Sequence, residues 1–168
     1  MTFDPVAFFA EPNKRLVGAD WSVSGMDLLA IGFIDVDGIL SRDVQLRATA
    51  ELNYPDARVM LQIERTSGPG GERQLSRIDW RPKEGHRNGA QAPKRLRFSF
   101  IAGTHVHSFR LNWNAELGRM RGHNLPIAEA PATDPHNFVA LVALAASEFK
   151  IRNMADLSPP PWEPLLTS

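Results

Sequence analysis

Three histidines, His86, His105 and His107, lie in the middle of this 168-residue chain, and Asp79 precedes them. His105 and His107 are two residues apart, so on a β-strand their side chains point to the same face. His86 sits in the loop before that strand, and Asp79 at the end of the strand before the loop. If the two strands are neighbours, the four side chains converge. Three readings of such a cluster remain open. In the first, the rings are neutral and structural, with backbone partners. In the second, H-x-H plus a third His or Asp binds zinc, iron or manganese. The acid that often completes such a set four or five residues later is missing, because the first Glu after His107 is Glu116. In the third, one neutral His takes a proton from a ribose 2′-hydroxyl while a cationic one protonates the leaving oxygen.

The third reading also needs positive charge to stabilise the phosphate. Formal charge is zero overall, but residues 71–123 carry eleven Lys/Arg against four Asp/Glu, between two acidic flanks. A clustered basic region is the electrostatic footprint of phosphate binding, and also what a solvated strand face looks like. Arg77, Arg87 and Arg97 are the phosphate-binding candidates, with Arg95 and Arg110 close by. His86, His105, His107 and Asp79 are the catalytic candidates. Neither a metal nor another cofactor is assigned. Asn88, Asn112 and Asn124 suit either phosphate positioning or turns. The four tryptophans read as packing rather than as base-stacking platforms. There is no cysteine, so disulfides, thiolate metal sites and a cysteine nucleophile are excluded. GxGxxG, GxxxxGK[ST] and GxSxG are absent, which argues against Rossmann, P-loop and α/β-hydrolase chemistry.

Strands and turns must hold these residues. Asp4-Pro5 predicts a short N-terminal helix through Phe8 and Phe9. Residues 26–36 read as a buried strand ending at an Asp37-Gly38 turn. Val44, Leu46, Ala48, Ala50 and Leu52 alternate with polar residues, so 44–53 is a strand with one buried face. Residues 58–65 and 73–81 follow as strands, the second after the Gly68-Pro69-Gly70-Gly71 turn. Residues 82–94 read as a loop of a length that is often functional. Two further strands are expected at 95–102 and 104–113, with Phe109, Leu111 and Trp113 continuing the histidine face. A helix at 135–149, capped at Asp134-Pro135, carries Phe138, Leu141, Val142, Ala145 and Phe149 at helical spacing. The expected fold is α+β: an antiparallel meander of about five or six strands, a short N-terminal helix and one C-terminal helix packed on the sheet. It is expected to be a single domain over 1–168, with 158–168 an extended proline-rich tail.

The order R-I-D (77–79), H-R-N (86–88), T-H-V-H-S-F (104–109), N-L-P-I-A-E-A-P (124–131) and F-K-I (149–151) resembles small prokaryotic proteins. More distantly it resembles the TumE-like toxins of toxin–antitoxin pairs. The resemblance covers about residues 73–151, and this chain has Gly89 where the pattern expects proline. It implies a cytoplasmic, toxin-like or mobile-element-associated protein that acts on RNA, and it carries over Arg77, Asp79, His86, His105 and His107. The expected function is therefore metal-independent RNA cleavage or RNA binding. The alternative is a non-catalytic interaction component of a defence, anti-defence or mobile-element system. The partners expected are RNA, or a protein docking on the basic middle or the Pro-rich tail, with no membrane. A cytoplasmic location is expected from the missing cysteine, the lack of a secretory-type start and the absence of a long apolar run.

Overall fold

A computed structural model describes residues 2–68 and 73–165. The chain opens with helix α1 (Pro5–Ala10), whose Val6 and Ala7 amides donate to the Asp4 carboxylate, with proline at the first helical position. Strands β1 (Lys14–Ser24), β2 (Asp27–Val36), β3 (Ile39–Glu51), β4 (Val59–Arg65) and β5 (Gln74–Trp80) follow as an antiparallel meander. Two short strands, β6 (His86–Arg87) and β7 (Phe100–Ile101), pair only with each other. Strand β8 (His105–His107) returns to the main sheet beside β5, completing the order β1-β2-β3-β4-β5-β8.

The alternation in 44–53 decides which face is buried. Val44, Leu46, Ala48 and Ala50 are buried, as are Leu61 and Ile63 on β4 and Ile78 and Trp80 on β5. Helix α3 (Phe138–Phe149) belongs to this core through Phe138, Leu141, Val142, Ala145 and Phe149. Trp80 contributes its ring to the same core and donates from its indole nitrogen to the Pro135 carbonyl at 2.8 Å. Trp21, Trp113 and Trp162 pack against the core as partly buried side chains. Among the described residues no helix is long and apolar enough to cross a membrane.

Several expectations about elements are corrected. Residues 95–102 do not form a strand of the sheet, and only Phe100–Ile101 is extended. Pro93 instead starts a coil of turns, with the Leu96 and Arg97 amides both bonded to its carbonyl. Residues 104–113 are a strand only over His105–His107. Ser108 caps a one-turn helix, α2 (Phe109–Asn112), by accepting the Leu111 amide, so local capping competes successfully with the ladder. Phe109, Leu111 and Trp113 therefore do not continue the histidine face. Trp113 instead opens a small hairpin of β9 (Trp113–Asn114) and β10 (Arg119–Met120). The C-terminal helix starts at Phe138 and is capped by Asn137, whose side chain accepts the Ala140 amide, not by Asp134. Strand β1 was not expected at all: its burial is irregular and a register shift between Val17 and Asp20, near Gly18 at φ +66, breaks its period. The turn expected at Gly68–Gly71 falls mainly outside the described residues.

Candidate functional site

β5 and β8 have two faces. Ile78 and Val106 are cross-strand partners and both belong to the core. On the opposite face, Asp79 lies directly across from His105 and Arg77 from His107. The pairing register alone thus brings four of the expected residues together. The Asp79 Oδ2 atom is the hub. It accepts from Arg77 Nε at 2.8 Å and lies 3.2 Å from His105 Nε2 and 3.3 Å from His107 Nε2.

The fifth residue, His86, arrives through the β6–β7 ribbon. Its ring centroid lies 4.7 Å from that of His107 and 5.6 Å from that of His105. A strap formed by residues 125–129 fixes this arrangement from outside the sheet. The Leu125 carbonyl accepts from His107 Nδ1 and the Pro126 carbonyl accepts from His86 Nε2 at 2.9 Å. Buried Asn112 bonds both the amide and the carbonyl of Ile127, and buried Asn88 does the same for Ala128. Glu129 then pairs with Val106 through two backbone hydrogen bonds. Five consecutive residues are each tied to the site or its frame. Asn88 and Asn112 are therefore backbone clamps rather than phosphate ligands, and Asn124 accepts from Gln74 at the strap's entrance.

The hydrogen bonds assign distinct states to the rings. His107 is 0% exposed. Its Nδ1–H is committed to Leu125, so its Nε2 lone pair accepts from Arg77 Nη2 at 3.0 Å. Its pKa is lowered from 6.5 to about 4, chiefly by burial, with the Arg77 charge acting in the same direction and the proximity of Asp79 only partly offsetting them. His107 is therefore a neutral, fully bonded core histidine, and the structural reading holds for it. His105 is 4% exposed and has an acceptor at each ring nitrogen: the Gly103 carbonyl at Nδ1, 2.9 Å away, and Asp79 at Nε2. Both bonds form together only when the ring carries both protons. Burial alone would raise the Asp79 pKa, but the His105 hydrogen bond and the Arg77 charge outweigh it and hold the carboxyl well below the usual carboxylate range. The same-face pair is therefore buried rather than open to solvent, His107 under the strap and His105 in the wall of the pocket described next.

A pocket of about 360 Å³ opens over this network, lined by Arg77, Asp79, Pro82, Lys83, Glu84, Gly85, His86 and His105. Nothing in the spacing pointed to Lys83, which contributes a cation at the lip. Arg87 and Arg97 do not line the pocket. Arg87 bonds the Phe98 carbonyl and Arg97 the Ala92 carbonyl, while Arg95 and Arg110 pair with Glu129.

One ring nitrogen from each of His86, His105 and His107 lies within 4.8 Å of the other two. Each ring gives its remaining nitrogen to a backbone carbonyl, which is how metal-binding imidazoles are commonly oriented. Bond lengths of about 2.0–2.1 Å would require these nitrogens to close in by roughly 1 Å. Arg77 would also have to leave the His107 lone pair. The donor set fits a transition metal in kind, while its spacing and the adjacent guanidinium do not. No protein-family model, curated protein or solved structure matches the chain.

Proposed function

We propose that the pocket cleaves RNA by metal-independent acid–base catalysis. The observation that carries this reading is the division of labour among the rings around Asp79. His86 commits Nε2 to Pro126 and leaves Nδ1 free to act as a base. His105 has an acceptor at each ring nitrogen, and its Nε2 proton, held 3.2 Å from Asp79 in the pocket lining, passes to substrate when the departing oxygen takes the carboxylate's place. His86 Nδ1 takes the proton of the ribose 2′-hydroxyl as that oxygen bonds to phosphorus. The phosphorus–O5′ bond breaks, and His105 donates its proton to the departing O5′. Asp79 orients His105, and Arg77 and Lys83 stabilise charge on the phosphate oxygens. His107 is a positioning residue, holding Arg77 through its neutral nitrogen.

The test is cleavage of a mixed RNA by the full chain. His86→Ala and His105→Ala should each lower the rate by about 10²–10⁴-fold, the usual range for a lost acid or base. EDTA should leave the rate unchanged. The metal reading is favoured by the three convergent ring nitrogens, and stoichiometric zinc, iron or manganese in the purified protein would establish it instead. If RNA is neither cleaved nor bound at low salt, the interaction-component reading takes its place.

A further inference from the structure

We infer that Phe98 and Phe100 form a base-stacking platform beside the pocket, so that the substrate is an unpaired strand rather than a duplex. This rests on the acid–base reading above and specifies its substrate class. Phe98 and Phe100 are 61% and 55% exposed, unusual for two large apolar rings two residues apart. Phe98 holds its backbone at φ +62, a conformation that bulky residues rarely adopt. It is held there locally: the Ser99 amide and hydroxyl both bond the Leu96 carbonyl, and Arg87 Nη1 donates to the Phe98 carbonyl at 3.2 Å. Neighbouring structure thus imposes a conformation that leaves this ring in solvent instead of folding it inward.

Phe100 connects the platform to the site. It pairs with Arg87 in the β6–β7 ribbon, next to the His86–Ile101 pair, and the Arg87 guanidinium lies 5.3 Å from its ring centre. Its ring rests against Gly85, where an added methyl carbon would fall 2.5 Å from the ring. Gly85 lines the pocket together with His86, His105 and Asp79. A base stacked on Phe100 would therefore leave its phosphate near Lys83 and Arg77. Charge complementarity favours nucleic acid over an apolar protein partner: residues 81–101 hold six Lys/Arg against one acid, Glu84. Aromatic rings interleaved with arginine are what a single strand uses, because every base offers a face for stacking and its phosphates offer the charge. A duplex hides those faces.

A labelled 2′-O-methyl oligouridylate tests this separately from the chemistry, since it lacks the nucleophile and cannot be cut. At low salt the full chain should bind it more tightly than a blunt RNA duplex of equal length. The double variant Phe98→Ala/Phe100→Ala should weaken that binding at least about 10-fold, and Phe98→Tyr/Phe100→Tyr should retain it. Unchanged binding by the alanine pair, or equal affinity for the duplex, would overturn the platform. So would a dimer that the alanine substitutions dissolve without changing RNA binding, which would make this a protein interface. If the strand binds through the phenylalanines but unmodified RNA is not cleaved, the catalytic reading fails and the platform stands.

Discussion

His107 shows how strongly position governs a histidine. In water it would titrate at its ordinary value, but here it is buried between a carbonyl acceptor and a guanidinium donor, which suits only the neutral ring. Because its folded pKa is lowered from 6.5 to about 4, the unfolded chain binds a proton between those values that the folded chain does not. Stability should therefore be complete above about pH 6.5 and fall as pH drops towards 4. Asp79 works in the same direction below its unfolded pKa, since its folded carboxyl stays ionised to lower pH. Urea unfolding at pH 7 and pH 4.5 should differ by roughly 2–3 kcal/mol from His107 alone, and His107→Gln should flatten that difference. An equal slope in the variant would mean that His107 is not the titrating group. His107→Ala should cost about 2–4 kcal/mol at pH 7, because it leaves the Leu125 carbonyl and Arg77 Nη2 without their partner.

At the scale of elements, the site depends on parts with little regular structure. The strap 125–129 lies alongside β8, and its regularity comes from side chains rather than from a continuous ladder. Replacing Asn88 with Ala removes the partners of both the Ala128 amide and its carbonyl in a buried setting. That change should cost about 2–4 kcal/mol and open the Ala128 amide to hydrogen exchange. It should also slow cleavage, because the neighbouring Pro126 carbonyl aims His86. Full protection at Ala128 in the variant would show that the strap holds without its clamp. The boundary of α3 offers a simpler contrast. Asn137→Ala should lower stability by about 1 kcal/mol through loss of its cap, whereas Asp134→Ala should leave the melting temperature close to wild type.

For the whole molecule, the C-terminal segment packs against the core through Trp162. The Trp162 ring meets Phe138 edge-on with centroids 6.2 Å apart, the Glu163 amide bonds the Leu52 carbonyl, and the Ser158 carbonyl accepts from the Trp21 indole. Proline-rich chain loses little entropy on such docking, because its dihedrals are already restricted. Deleting residues 158–168 should lower the denaturant midpoint, and Trp162→Ala alone should cost about 2 kcal/mol for a partly buried indole. A truncated chain that unfolds at the wild-type midpoint would count against this role.

Much of this architecture is legible in the residues themselves. The period of two in 44–53 marks a strand with one buried face, that in 58–65 marks a strand although its polar Gln62 and Glu64 are buried as well, and the spacing of Phe138, Leu141, Val142, Ala145 and Phe149 marks a helix in the same core. The H-x-H spacing puts two histidines on one face wherever they form a strand. Local pattern suffices in these cases because burial of apolar surface selects one period over another. The tertiary structure decided the rest. Pairing register set Asp79 against His105 and Arg77 against His107, and no local signal encodes register between segments some thirty residues apart. Ser108 and Pro93 ended two expected strands through hydrogen bonds a periodicity count does not see. The strap, whose carbonyls fix two of the three rings, carries no pattern of its own, because its backbone partners come from Asn88, Asn112 and the histidines. Which histidine is neutral and buried, and which faces the pocket, follows from those partners alone.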